Sequence, residues 1–287
     1  MNSSLKVSLA VATTLFSWAC AWVSIRYAVG HLSPQHVALG RYLVASLVLV
    51  PLWLWRKPKI ALRDWPAIFV MGVCGFTIYN LAINAGERTI TAGAASLIAS
   101  TIPLFTTLGA RVFLHEKVPR AAWAGIWIGV AGVFLIALGE KGGIGISAGA
   151  LLVTVGALSA AVYGLMQKRF LGRYHSLDLT TAAIWMGTLA LLPWSGGLVS
   201  ELYAAPLSAT LNVVFLGLFP GALGYVMWSY ALSQLPVARL MSFLYLMPGI
   251  SIALGYLFLN ELPAPISLLG GTIALGGVIW TNWRKNG

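Results

Sequence analysis

Pro103 followed by Phe113-Leu114-His115-Glu116 recurs as Pro248 followed by Phe258-Leu259-Asn260-Glu261. The two stretches lie 145 residues apart, and in both the glutamate stands thirteen positions after the proline. Sliding the sequence on itself by 145 without a gap also brings Gly72 onto Gly217, Gly125 onto Gly270, Ile128 onto Ile273, Gly132 onto Gly277 and Val133 onto Val278. The overall identity of the copies is modest, and a chain with 31 glycines matches itself often by chance. A motif around a glutamate in one register with a Gly-x-x-Ile-x-x-x-Gly-Val run is harder to obtain that way. Duplicated membrane chains are a recurring design of transporters.

Composition supplies the membrane. Of 287 residues, 59% are hydrophobic and 9% charged, with mean hydropathy +0.86; a soluble domain carries about 25% charged residues. A net charge of +11 would suggest nucleic acid in a soluble protein. Here the cations sit in connections between apolar runs, so they read as topological signals and no nucleic-acid partner is expected. Cys20 and Cys74 lie inside apolar runs with no disulfide or metal spacing. His31, His36, His115 and His175 fall near helix ends without ligand spacing, so neither metal nor cofactor is expected. Ala19-Cys20-Ala21 faintly resembles a signal-peptide cleavage site, but Trp18 and Trp22 flank it and the apolar run continues to Val29. The reading is an uncleaved first helix.

A spanning helix needs about 20 mostly apolar residues. Ten candidates run Leu5–Val29, Pro34–Trp55, Trp65–Ala85, Thr91–Leu114, Ala121–Leu138, Ile146–Gln167, Leu179–Val199, Ser208–Leu232, Val237–Leu259 and Pro263–Trp280. Pro193 and Gly196-Gly197 interrupt the seventh. One alternate set of connections holds 13 Lys and Arg and the other only Arg26, Arg88 and Lys141, with Arg41 and Arg239 inside spans. Both termini are therefore expected in the cytoplasm. The expected fold is an all-α membrane protein of ten helices, a five-helix repeat over 1–140 and a second over 141–287. Five is odd, so the second copy must enter the membrane inverted, around a central cavity opened alternately to each face.

Site candidates follow from the polar and aromatic residues inside spans. Trp18 and Trp22 share a helix face, and at +145 they fall on Tyr163 and Gln167. Tyr79, Asn80 and Asn84 line part of the third span, with Tyr225 and Ser229 as counterparts of the two asparagines. Ser96 and Ser100 fall on Met241 and Tyr245. An aromatic lining with scattered hydroxyls and amides suits a small amphipathic solute with a flat apolar part. Arg41, two turns inside the second span, either meets a substrate carboxylate or holds its helix against neighbouring carbonyls. Pro103 and Pro248 fall near mid-span as paired kinks and candidate hinges. No Asp or Glu lies well inside a span, which points to a facilitator or exchanger rather than a carboxylate-based proton antiporter.

The run Ala94-Ala95-Ser96-Leu97-Ile98-Ala99-Ser100-Thr101-Ile102-Pro103 with Phe113-Leu114-His115-Glu116 resembles the drug/metabolite transporter superfamily in its ten-helix EamA-like branch. Arg41 and the glycines Gly125, Gly129 and Gly132 match that branch, and the resemblance spans both halves. It departs at Trp18-Ala19, where many members have Trp-Gly. The resemblance implies an inner-membrane exporter of small metabolites, and the chain looks most similar to bacterial exporters of amino acids, aromatic ones included. Export of drugs or other metabolites is the alternative. An enzyme would need a nucleophile with a base, paired carboxylates or metal ligands at depth. A channel would more often use charge rings or carbonyl filters.

Overall fold

The computed structural model describes residues 3–113, 115, 120–140, 146–170, 172–234 and 243–283. Leu114 and Glu116 of the first motif, and Arg239 and Met241, lie outside them. The described residues form helices and their connections: α1 Ser3–Ala28, α2 Pro34–Arg56, α3 Leu62–Gly86, α4 Ala92–Phe113, α5 Arg120–Gly139, α6 Ala148–Phe170, α7 Ser176–Leu191, α8 Leu198–Ala204, α9 Leu207–Ala231, α10 Phe243–Leu259 and α11 Pro265–Trp283.

Six of these (α1, α2, α3, α4, α6 and α9) are long and apolar enough to cross a bilayer. A seventh joins them if α7 and α8 count as one bent span, and α5, α10 and α11 supply shorter apolar helices. The chain is a multi-pass membrane protein. Its polarity is arranged accordingly: Leu47, Trp127 and Leu257 are exposed, whereas Arg41, Asn80, Asn84 and Ser251 are buried. Lipid offers no hydrogen bonds, so polar groups turn inward and apolar ones outward.

Where the sequence interrupts a helix, the interruption has a chemical cause. The Ser96, Ser100 and Thr101 hydroxyls each donate to the carbonyl three residues back, at 2.7, 2.6 and 2.6 Å. Such bonds compete with the helix ladder. Two residues later Pro103 has no N–H to give, and α4 breaks at Ser100–Thr101. In α10 a 3₁₀ turn at Phe243–Leu246 precedes the α-helical Met247–Leu259, and Pro248 is second in that segment as Pro103 is second in Ile102–Phe113. A missing N–H costs nothing in a first helical turn.

The seventh span differs from the expected Leu179–Val199. Its helix runs Ser176–Leu191, passes through a 3₁₀ turn at Leu192–Ser195 and bends by 79° into α8. Pro193 withholds an N–H, Trp194 is non-helical, and Gly197 at φ +83 takes a conformation few side chains tolerate.

The duplicated motif marks a helix stop. His115 (φ 54) and Asn260 (φ 55) are both left-handed, at matching positions 145 apart. Asn and His are among the residues most tolerant of that region. After Asn260 the Glu261 N–H returns to the Gly255 carbonyl at 3.2 Å, which closes α10.

Two further features recur near this spacing. α3 contains a π-helical segment at Val73–Ile78 and α9 one at Gly217–Leu223. α5 and α11 cross on glycines: a methyl built on Gly132 would lie 2.5 Å from the Gly270 carbonyl oxygen, and one on Gly277 2.5 Å from that of Gly125. The backbones touch, as small residues allow in lipid.

Candidate functional site

The interior of the bundle is an aromatic cluster around one cation. Arg41 on α2 is buried, donates from Nη1 to Asn80 Oδ1 at 3.1 Å, and has its guanidinium carbon 5.2 Å from the Tyr42 ring centre. Asn80 Nδ2 in turn donates to the Tyr42 hydroxyl and to the Phe76 carbonyl, both at 2.9 Å. Edge-on ring contacts continue from Tyr42 to Phe76 (5.4 Å), from Phe76 to Tyr163 (5.3 Å) and Tyr225 (5.8 Å), and from Tyr225 to Trp18 (5.3 Å). Trp228 lies 5.2 Å from Trp18. Tyr79 lies within electrostatic reach of Arg41, Tyr42 and Tyr225.

Tyr42, Phe76 and Asn80 are fully buried, whereas Trp18, Tyr79, Tyr163 and Tyr225 keep part of their surface accessible. The second group lies at the edge of the cluster, next to its fully buried centre. Gln167 completes one edge, donating from Nε2 to the Tyr163 hydroxyl at 3.1 Å and to Thr180 Oγ1 at 3.0 Å.

The π segments help to build the site. π-Bulges inside α-helices occur frequently at functional sites, and here carbonyls within them accept side-chain donors from neighbouring helices. Trp18 Nε1 donates to the Pro220 carbonyl inside the second π segment at 3.1 Å, and Ser159 Oγ donates to the Cys74 carbonyl inside the first at 2.8 Å. Replacing Trp18 by Phe keeps the ring contact and deletes this bond. We expect a loss of about 1 kcal/mol of stability, read as a lower thermal midpoint, with little effect of Trp18→Phe on transport. Trp18→Ala should impair both.

Not every candidate joins the cluster. Trp22 packs in an apolar core with Ile25, Ala28 and Ile98. Asn84 donates to the Pro34 carbonyl at 2.9 Å and ties α3 to the start of α2. The hydroxyls of Ser96 and Ser100 are engaged by their own helix, and Tyr245 lies against Leu104 and Ile126. Four members went unnoticed in the sequence: Tyr42, Phe76, Thr180 and Trp228. Phe76 and Trp228 sit at i−4 from Asn80 and i+3 from Tyr225, so helical spacing from the named residues would have found them.

A separate cavity of about 400 Å³ lies between α1, α9 and α10, lined by Cys20, Ser24, Tyr27, Asn212, Phe215 and Phe258 among others. It holds none of the Arg41 cluster, and Phe258 is exposed at its edge. A crevice without a charged group carries less recognition chemistry than the aromatic cluster. Among the described residues no group of His, Cys, Asp and Glu is placed to hold a metal ion.

Ion pairs and carboxylate hydrogen bonds gather at both ends of the bundle. At one, Arg56 Nη2 meets Asp178 Oδ2 at 3.1 Å, and Asp64 receives Arg173 at 3.2 Å and the Tyr174 hydroxyl at 2.6 Å. At the other, Arg26 holds Glu261, Glu201 receives Ser33 and His36, and Glu140 receives the N–H groups of Thr91 and Ala264.

Comparison with known proteins shows the family. The EamA-like transporter family matches residues 5–138 and again residues 147–283. The chain is 35% identical over 286 residues to a probable terminal-alkyne amino-acid exporter of Streptantibioticus cattleyicolor, covering 98% of this chain and 95% of that protein. It is 34% identical over 270 residues to the uncharacterized transporter YdfC of Bacillus subtilis, covering 94% and 88% of the two chains. A solved protein structure superposes with a TM-score of 0.63 at 21% identity, over 98% of this chain and 96% of that one; at that identity the likeness is one of fold. The same family matches both halves, and these relatives are matched over most of their length: the chain belongs to the EamA-like transporter family of the drug/metabolite transporter superfamily.

Proposed function

We propose that this transporter exports small metabolites, namely amino acids with aromatic or apolar side chains, by alternating access, as a facilitator or exchanger. The observation that carries the reading is Arg41: a buried guanidinium whose Nε has no partner among the described residues, in one cluster with the partly buried rings of Trp18, Tyr79, Tyr163 and Tyr225. A guanidinium is built to take a carboxylate, and aromatic walls take a flat apolar side chain. The name of the Streptantibioticus relative points to the same substrate class.

The architecture belonging to this reading is ten spans in two inverted halves, 1–140 and 141–287, with both termini in the cytoplasm of a bacterial cell. Support comes from the two separate family matches, the paired left-handed stops and π segments, and the crossed contacts Gly132–Gly270 and Gly125–Gly277. Under the 145-residue shift those two contacts are images of each other. Their order runs antiparallel, as an axis in the membrane plane requires.

Proteoliposomes loaded with unlabelled phenylalanine should accelerate uptake of labelled phenylalanine, saturably. Linear flux would indicate a pore. Acceleration by a drug or sugar phosphate and by no amino acid would remove the amino-acid reading. Uphill uptake driven by a proton gradient alone would remove the facilitator.

A further inference from the structure

At the end of the bundle where α3 meets α4 lies a carboxyl group with no visible means of support. Glu87 follows Gly86 directly, its side chain is fully buried, and neither Oε1 nor Oε2 has a hydrogen-bond partner among the described residues. Buried carboxylates without donors are costly, so such a group is kept neutral or marks a site that changes state. Arg26 sits beside it. Its Nη1 donates to the Glu87 backbone carbonyl at 2.7 Å, while Nε and Nη2 grip the Glu261 carboxylate at 3.0 and 2.9 Å. One arginine thus ties α1, the end of α3 and the α10–α11 connection together.

We propose that Glu87 is a proton-binding site that latches this end of the transporter. Protonated, Glu87 fits the closed arrangement and leaves Arg26 to Glu261. Ionised, it needs water or the Arg26 guanidinium, and either one undoes the closure. The proposal rests on the alternating-access reading above.

The surroundings are consistent with that role. Burial pushes the Glu87 carboxyl well above the usual glutamate range; Arg26 pulls it down, Glu261 pushes it up and Arg41 pulls it down. Tyr79, two turns earlier on α3, feels the same carboxyl. Arg88 is exposed, and Glu140 is committed to the N–H groups of Thr91 and Ala264. α6, which packs here through Gly149 and Val153, brings no titratable residue to this end. The closed state therefore holds the proton more tightly than an open, hydrated one. Rising pH must disfavour closure from about the ordinary glutamate value, roughly 4.3, up to the raised closed-state value. One linked proton changes the open-to-closed ratio by at most about tenfold per pH unit.

The device is one-sided. Under the 145-residue shift Arg26 falls on Leu171 and Glu87 on Leu232, so the second half does not repeat it. A proton taken up and released at the same end performs no net transport. The latch thus regulates a facilitator without energising it.

The test needs no substrate. Spin labels at Arg88→Cys and Leu262→Cys, with Cys20 and Cys74 replaced by Ala, report the separation of the two connections in lipid nanodiscs from pH 4 to 9. We expect a long-distance population that grows with pH. In Glu87→Gln the population should stay at its low-pH level throughout. In Glu261→Gln, where Arg26 is released to Glu87, the midpoint should move to lower pH. A distribution that ignores pH, or that titrates equally in Glu87→Gln, overturns the latch. Arg26→Ala separates this failure from that of the parent reading. If Arg26→Ala lengthens the distance while the parent protein ignores pH, a gate exists and Glu87 does not control it. If neither changes, alternating access at this end falls as well.

Discussion

Arg41→Gln should raise the half-saturating concentration of phenylalanine in counterflow by about 10- to 150-fold, while phenethylamine, which lacks the carboxylate, should exchange as before. The range follows from the worth of a hydrogen bond to a charged group, about 1.5–3 kcal/mol. Arg41 already donates to Asn80 and lies over Tyr42, so its removal also disturbs the floor of the cluster. Gln keeps a donor for Asn80 Oδ1 and isolates the loss of charge. If Arg41 only props α2 against α3, Arg41→Gln will lower the thermal midpoint and leave phenylalanine and phenethylamine equally affected per folded molecule. Arg41→Lys should recover only part of the affinity, because an ammonium cannot repeat the planar, forked donation of a guanidinium.

The second large effect is structural. Gly132→Leu should prevent recovery of a monodisperse protein, and Gly132→Ala should lower stability by about 1–3 kcal/mol. A methyl at Gly132 would lie 2.5 Å from the Gly270 oxygen and the Ala274 nitrogen and 2.7 Å from the Ala274 Cβ. Backbone atoms of a packed helix cannot step aside as a flexible side chain can, so α5 and α11 would have to separate. Gly276, on the partner helix α11, has open space around its Cβ position. Gly276→Leu is therefore the control, with a thermal midpoint and elution profile close to the parent. Equal damage from Gly132→Leu and Gly276→Leu would remove the crossing as a source of stability.

The helices were legible because lipid imposes a simple rule on sequence: an apolar run long enough to cross, bounded by charge. α1, α2, α6 and α11 begin and end within a few residues of the expected bounds. The seventh failed for a local reason, since Pro193 and Gly197 redirect a chain that is apolar on both sides of the bend. In the interior, Arg41, Asn80, Trp18, Tyr163 and Tyr225 stood out as polar or amphipathic residues at membrane depth. Tyr42 and Phe76 did not, because an aromatic residue within an apolar run looks like any core residue. Ser96 and Ser100 spend their hydroxyl protons on their own helix, which sequence spacing does not reveal. Glu87 was passed over for a topological reason: next to Arg88 at a helix end it reads as a loop charge, and only folding carries it out of water.

The π segments have a consequence for how such a transporter changes its preferences. In α3 the Tyr79 N–H reaches back five residues to Cys74, and in α9 the Gly224 N–H reaches back five to Phe219. Each wide turn adds a residue to the helix without adding a regular turn, and one residue is about 100° of rotation. Everything beyond the insertion is therefore indexed by it: Asn80 meets Arg41, and Tyr225 meets Phe76, in the frame the wide turn sets. Deleting a single residue within Val73–Ile78 would leave a span still long enough for the bilayer but rotate a different set of side chains toward the bundle interior. For a lineage of such transporters this is a combination dial: the inward-facing set can be re-dealt by one codon gained or lost, with the lipid-facing shell and the helix stops left as they are.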